Sequence, residues 1–477
     1  MARDARGGPP RFGAKAQKAG RRPCPARGDA ASHGRMTRAG SSGGEVERAP
    51  VRAVDAPGRE PAAVDRDVRD AMHQAIALIL VSATVLLIIG IVMVYSATAP
   101  SAIRYAHANG LPTAFNTANG QLMYAAIGVV LTAAAAFVPL RLYERMADAV
   151  FVCGILLQLA VLSPLGSAVA GNTNWISLGP IRVQPSEFLK LATILWLAAR
   201  LGGMRRDDWR ISSFLLPTWW PWPAHLRGRY TMPVGTGAIA ALAAVLAGFD
   251  MGTAMVFALI CAGIFWLAGM PGRYFMWIGG LGVFGAAVLV AVNPSRLTRI
   301  KEYLDTLLSQ PDALNPTQAD FALWAFGSGG LSGGGLGTGI EKWPGNLAEA
   351  QNDFIFAVIG EELGMFGCLV VVAMFIVLGW GLVRICLAHP SRFASLACGG
   401  IAVWMCGQAI ANMLVVTGVL PVFGVPLPLV SQGGSAVVAC LLAVGFAVAC
   451  AMDAPGVRAS FRVPRRLAYR ARAVVKG

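Results

Sequence analysis

The residues with the strongest claim to chemistry are Asp353, Glu361 and Glu362. They lie in the run Asn352-Asp353-Phe354-Ile355-Phe356-Ala357-Val358-Ile359-Gly360-Glu361-Glu362-Leu363-Gly364. An aspartate opens an apolar helix there, and the apolar run continues to Val383. Carboxylates at membrane depth are costly, so each is a functional candidate by default. At 100° per residue, Glu361 falls about 80° round the helix from Asp353 and Glu362 about 180°. Glu361 alone is therefore expected on Asp353's side, roughly 12 Å deeper, with Glu362 facing elsewhere. Capping is the bland reading of Asp353, because aspartate is a good N-cap. It leaves the paired glutamates unexplained, and also the polar, glycine-rich segment upstream.

That upstream segment runs from about 293 to 352, long for a connection in a compact membrane domain. It opens with Arg296, Arg299 and Lys301, passes through the glycine run 327–339, and reaches Lys342 before Asp353. Glycines permit tight turns and close backbone approach to a ligand. No Gly-Lys-Ser/Thr follows, so the run is not a nucleotide-binding P-loop. Cations beside one carboxylate suit a diphosphate ligand and a general base together. A plain flexible loop is the competing reading.

Two further stretches carry polar groups between apolar segments. In Gln184-Pro185-Ser186-Glu187-Phe188-Leu189-Lys190, proline and serine suit a helix start, and Glu187 and Lys190 are spaced to pair on one face. Both a structural pair and a polar cavity wall fit that position. The turn 420–435 holds Pro421, Pro426 and Pro428 among apolar residues, then Ser431, Gln432, Gly433 and Gly434. Three prolines prevent a regular helix there, and non-helical backbone at membrane depth must be buried or line a cavity.

The elements that must position these groups follow from composition. The 477 residues are 56% hydrophobic and 14% charged, and apolar segments near 20 residues recur. An all-α polytopic membrane protein is expected. Its ten helices lie near 75–96, 121–139, 149–165, 186–201, 232–249, 253–270, 274–292, 354–383, 395–418 and 434–452. A large extracellular loop precedes the eighth. Asp250 and Gly252 interrupt the segment 232–270, which reads as two short helices or one broken pair. Residues 1–73 are rich in Gly, Pro, Ala and Arg, lack an apolar stretch, and are expected to be a disordered cytoplasmic tail rather than a signal peptide. The membrane domain is then 74–452 and a basic tail 453–477.

Net charge is +15, concentrated in both tails and in alternate connections, which puts both termini in the cytoplasm by the positive-inside rule. No basic platform interleaved with aromatics supports nucleic-acid binding. Trp219-Trp220-Pro221-Trp222-Pro223 reads as an interfacial aromatic anchor. The nine cysteines show no CxxC spacing and the five histidines are scattered, which argues against a disulfide framework or a histidine-ligated metal.

These stretches together resemble the SEDS family of cell-wall polymerases, which includes FtsW, RodA and SpoVE. The matching elements are Val94-Tyr95-Ser96-Ala97, Trp175-Ile176 with Gln184-Pro185-Ser186-Glu187 and Lys190, and Asp250-Met251-Gly252-Thr253. They continue with Gly329-Gly330-Leu331, Asp353-Phe354-Ile355-Phe356-Ala357, and Pro426-Leu427-Pro428-Leu429-Val430-Ser431 with Gly433-Gly434-Ser435. Asn174, Ala348 and Gln432 depart from the family pattern, where arginine, proline and tyrosine are common. The long tails look most like those of the division member.

The resemblance implies a glycosyltransferase that polymerises lipid II, an undecaprenyl-diphosphate-linked disaccharide peptide, at the outer face of the bacterial cytoplasmic membrane. Asp353 would deprotonate the acceptor sugar's 4-hydroxyl. Arg296, Arg299 and Lys342 would face the diphosphate. Glu361, Glu187, Lys190, Gln184, Trp175, Ser431, Gly433 and Gly434 complete the implied substrate-binding set. The resemblance leaves room for a divalent cation, Mg or Mn, at Asp353, and for no organic cofactor. Implied partners are a class B penicillin-binding protein and other divisome proteins. A lipid flippase and a non-catalytic scaffold for the transpeptidase remain open from the residues alone, as does an elongation role.

Overall fold

The computed structural model describes residues 61–461 apart from 110–114, 170–171, 179–180, 205–208, 210–233, 293–296, 299–300, 302 and 304–315. Each apolar stretch carries a helix. They are α1 (Pro61–Asn109), α2 (Asn116–Phe137), α3 (Leu140–Leu159), α4 (Pro185–Leu201), α5 (Val234–Ala247), α6 (Met251–Leu267) and α7 (Gly272–Val292). A helix that hydropathy did not call for, α8 (Gln318–Gly329), precedes α9 (Ile355–Ala388), α10 (Arg392–Val416), α11 (Gly434–Asp453) and the short α12 (Val457–Ser460). Among the described residues, six are long and apolar enough to cross a membrane, namely α1, α2, α3 (with its 3-10 extension to Leu162), α9, α10 and α11. The shorter apolar helices α5 and α6 join them.

Burial separates a centre from a periphery. Of the most apolar 18-residue window, 83% is buried in α11 and 61% in α10, against 28% in α2 and 22% in α3. α11 packs on α2, α10 on α9, α6 and α4, and α1 on α9. Small residues allow the α2–α11 approach, and Thr132 Oγ1 donates to Leu441 O at 2.8 Å across it.

The structure moves one sequence boundary, adds a small sheet, and decides between the two readings of the 232–270 segment. The N-terminal tail does not extend to residue 73, since α1 begins at Pro61 and Met72 is buried against the core. The connection 166–183 is a three-stranded antiparallel sheet, β1 (Gly166–Val169), β2 (Asn172–Leu178) and β3 (Ile181–Val183), in the order β1-β2-β3. The 232–270 segment is two helices, because Asp250 caps α6 and accepts from Thr253 N at 3.0 Å. The Trp219–Pro223 anchor lies outside the described residues.

Candidate active site

Asp353 sits in the turn that enters α9, and the N-cap of that helix is Phe354. The capping reading of Asp353 therefore does not apply. The turn is held from two directions. Asn412 Nδ2, on α10, donates to Asp353 O at 2.7 Å and to Val425 O at 2.8 Å. Ser431 Oγ donates to Asn352 O at 2.6 Å, and Gln432 N donates to Gln351 O at 2.9 Å. The Asp353 carboxylate, half-buried, rests against Gly424, whose φ is 69°. A Cβ on Gly424 would stand 3.6 Å from Asp353 Oδ2, so the carboxylate lies directly over a backbone with no side chain.

The proline-rich turn supports this carboxylate because it is packed and hydrogen-bonded throughout. Val425, Leu427, Leu429 and Val430 are buried. Gln408, one helical turn before Asn412 on α10, donates to Pro426 O at 2.8 Å. Gln408 Oε1 accepts from Lys190 Nζ at 3.1 Å and Trp404 Nε1 at 3.0 Å. Lys190 pairs with Glu187 at 2.9 Å, the two side chains being 2% and 3% exposed. Glu187 and Lys190 are therefore a buried pair that braces the turn through Gln408, and neither lines an open cavity.

A second polar group adjoins the turn from β2 and α6. Asp250 Oδ2 accepts from Asn174 Nδ2 at 2.8 Å, Gln184 Nε2 at 3.2 Å and Thr253 Oγ1 at 2.8 Å. Trp175, next to Asn174, projects from the other face of β2 and is half-buried. Gln184 N also donates to Ser435 Oγ at 3.2 Å, which ties the start of α4 to that of α11. Gln121 completes the tie, because its Oε1 accepts from Gly433 N at 3.1 Å and its Nε2 donates to Ser431 O at 3.3 Å. The Tyr124 ring packs on Gly434, and its hydroxyl lies 3.3 Å from both Arg182 N and Arg182 O. Arg182 itself is exposed and enters no ion pair among the described residues.

The glutamates differ from the helical-wheel expectation. Asp353 lies outside the helix, so 100° steps from it do not locate Glu361 or Glu362. Both carboxylates turn toward Gly339 in the upstream loop. Glu361 Oε1 accepts from Ile340 N at 2.6 Å and Glu341 N at 3.2 Å. Glu362 accepts from Lys342 Nζ at 2.5 Å and from Ser96 Oγ at 2.6 Å. Lys342 and Glu362 side chains are 2% and 0% exposed. Lys342 is thus committed to Glu362 and Ser96 and does not face a diphosphate as the sequence led us to expect; Glu361 is spent on the loop's own amides. Arg296 and Arg299 lie outside the described residues.

Asn412, Gln408, Gln121 and Arg182 were missed as site residues. The first two had a legible signal, being polar residues four apart on an otherwise apolar helix. Among the described residues no group of three or more His, Cys, Asp or Glu side chains could hold a metal. The donor set at Asp353 is one carboxylate, which fits a hard divalent cation only when substrate phosphates supply other oxygens.

A model of the FtsW, RodA and SpoVE family of cell cycle proteins matches residues 76–454. The stage V sporulation protein E of Bacillus subtilis is 34% identical over 371 residues, covering 77% of this chain and 94% of that protein. A probable peptidoglycan glycosyltransferase FtsW of Polynucleobacter necessarius is 35% identical over 356 residues, covering 74% and 80%. That of Mycobacterium tuberculosis is 31% identical over 389 residues, covering 81% and 70%. Among solved structures, a chain of a peptidoglycan synthase complex superposes with a TM-score of 0.60 at 23% identity, covering 79% of this chain and 98% of that one. The rod shape determining protein RodA of Thermus thermophilus gives 0.56 at 23% identity, covering 79% and 96%. At that identity the structures bear on the fold, which is the polytopic helical one described above.

Proposed function

The chain belongs to the FtsW, RodA and SpoVE family of cell cycle proteins, and from that premise we propose that it is a peptidoglycan glycosyltransferase of the bacterial membrane that polymerises lipid II. The observation that carries the reading is the Asp353 carboxylate, seated over Gly424 on a turn whose backbone carbonyls, Asp353 O and Asn352 O, accept from Asn412 and Ser431. A rigidly placed carboxylate beside open backbone is what a general base needs. The acceptor's 4-hydroxyl gives its proton to Asp353 as its oxygen attacks the donor's anomeric carbon. The bond from that carbon to the diphosphate oxygen breaks, and undecaprenyl diphosphate leaves. Arg182, exposed with its backbone tied to Tyr124, supplies positive charge for the leaving group in the place first assigned to Lys342. Asp353 would be the residue to hold a Mg or Mn ion, which would supply further positive charge for the leaving group.

The alternating Arg and Lys content supports an outward-facing site with both termini cytoplasmic. The description of the family as cell cycle proteins supports a division role, and the match to a chain of a peptidoglycan synthase complex that coordinates polymerisation and crosslinking supports a crosslinking partner, which we take to be a class B penicillin-binding protein. The test is glycan-chain synthesis by the purified chain from lipid II. Asp353→Asn should lower the rate by about 10²- to 10⁴-fold, the scale of general-base catalysis, while transpeptidase binding is unchanged. Near-parental synthesis by that variant would refute the catalytic assignment and favour a scaffold.

A further inference from the structure

The glycine-rich segment repairs a break in a membrane-spanning helix. α9 is non-helical at Gly364, with φ 67° and ψ −167°. In an unbroken helix Met365 N and Phe366 N would donate to the carbonyls four residues back, those of Glu361 and Glu362. Here Met365 N donates instead to Gly330 O at 2.9 Å and Phe366 N to Leu331 O at 3.2 Å. The freed carbonyls of Glu361 and Glu362 accept from Gly334 N at 3.0 Å and Gly335 N at 2.9 Å. The segment is thus built into α9 and lies at the depth of its kink.

That depth can be read from α9 itself. Its exposed apolar side chains run from Phe366 through Leu369, Ile376 and Trp380 to Leu387. The separation of 387 − 366 = 21 residues is about 32 Å at 1.5 Å per residue. This matches the roughly 30 Å hydrocarbon layer. Phe366 therefore marks one boundary, and Leu331, bonded to its amide, lies there too. The segment is also polar inside and apolar outside. Lys342, Glu361 and Glu362 are buried, whereas Leu331 is 61% exposed, Leu336 57%, Ile340 67% and Trp343 51%. Thr338, also exposed, turns its hydroxyl onto Gly335 O at 2.7 Å. In water this distribution would be costly; against lipid it is the favourable one.

We propose that segment 330–343 is embedded at the membrane boundary and that hydrocarbon chains of bilayer lipids cover Leu331, Leu336, Ile340 and Trp343. The surface adjoins the exposed apolar stripe of α9 where Leu331 bonds the amide of Phe366, and its tryptophan is of the type found at membrane interfaces. The inference is independent of the reaction assigned to Asp353.

The full chain carrying Leu336→Cys or Ile340→Cys is labelled with an environment-sensitive fluorophore, and the parent chain's labelling is subtracted. It is then reconstituted into phosphatidylethanolamine–phosphatidylglycerol vesicles containing doxyl-labelled lipid. Labels on Phe366→Cys and on exposed Ala348→Cys give the lipid and water references. Emission at 336 and 340 should be blue-shifted and lose most of its intensity to doxyl lipid, as at 366. Emission like that at 348 overturns the proposal, and so does blue-shifted emission that doxyl lipid leaves unquenched, since protein would then be the cover. Any variant that does not elute as the parent does is replaced by Leu331→Cys or Trp343→Cys, which belong to the same layer.

Discussion

At the scale of the residue, Lys342 and Arg182 differ in what holds them. Lys342 stands beside the glycine run but is sealed against Glu362 and Ser96, with its Nζ 3.0 Å from Ser96 Oγ. Removing one partner of a buried ion pair costs about 3–5 kcal/mol, because the other charge is left uncompensated. Lys342→Ala should therefore lower the unfolding midpoint in detergent sharply, and Lys342→Met combined with Glu362→Leu should recover much of the loss. A diphosphate-binding lysine would behave in the opposite way, losing turnover with an unchanged midpoint. Arg182 is exposed, and only its backbone is tied down. Arg182→Ala should leave the midpoint in place and cut the polymerisation rate by about 10²- to 10³-fold, the effect of one electrostatic donor. Initial rates against lipid II concentration, measured beside thermal melts, separate the two residues.

At the scale of the element, α9 is best regarded as two helices joined by an inserted strand of loop. Its first part, from Ile355 to Glu362, is buried on every side. That part carries the Asp353 turn at its start and depends on Gly330–Gly335 for the hydrogen bonds lost at the kink. Gly333 has φ +78°, and a Cβ there would overlap the Glu362 carbonyl oxygen. Backbone strain of this type costs about 1–3 kcal/mol before any clash is counted. Gly333→Ala is expected to destabilise the chain by at least that much, and to raise amide exchange at Met365 and Phe366 before it affects α11. Unchanged exchange at those two amides would mean that the insertion does not hold the kink.

At the scale of the whole molecule, the polar residues form a layer rather than scattered sites. The Asp250 group, the Gln121–Gly433 tie and the Gln408–Asn412 pair all converge on the proline-rich turn beneath Asp353. Residues 1–60 lie outside the described residues. Their composition cannot bury a core. A chain that begins at Pro61 is expected to polymerise lipid II at the rate of the full chain, and loss of turnover by a monodisperse truncation would show a direct catalytic contribution. The truncation starts at Pro61 because α1 begins there and joins α12 at its base through Ser460 and His73, 2.9 Å apart.

The sequence by itself determined the helical stretches and the fixed character of the 420–435 turn, and it singled out Asp353 as a candidate. Hydropathy, proline and a carboxylate next to a long apolar run are local signals, readable without knowing what packs against them. It also placed Glu187 and Lys190 within reach of each other, since three residues on one helix fix that distance. Only the tertiary structure decided which charges cancel. Lys342 and Glu362 are 20 residues apart and Ser96 a further 246 from Lys342, and no spacing rule connects them. The wheel that set Glu361 beside Asp353 assumed one unbroken helix containing both. Asp353 lies before its start, and a loop captures both glutamates near a kink that only the folded backbone reveals. Ion pairing across long sequence separations is settled by that packing, because burying a charge is affordable only where the fold brings its partner.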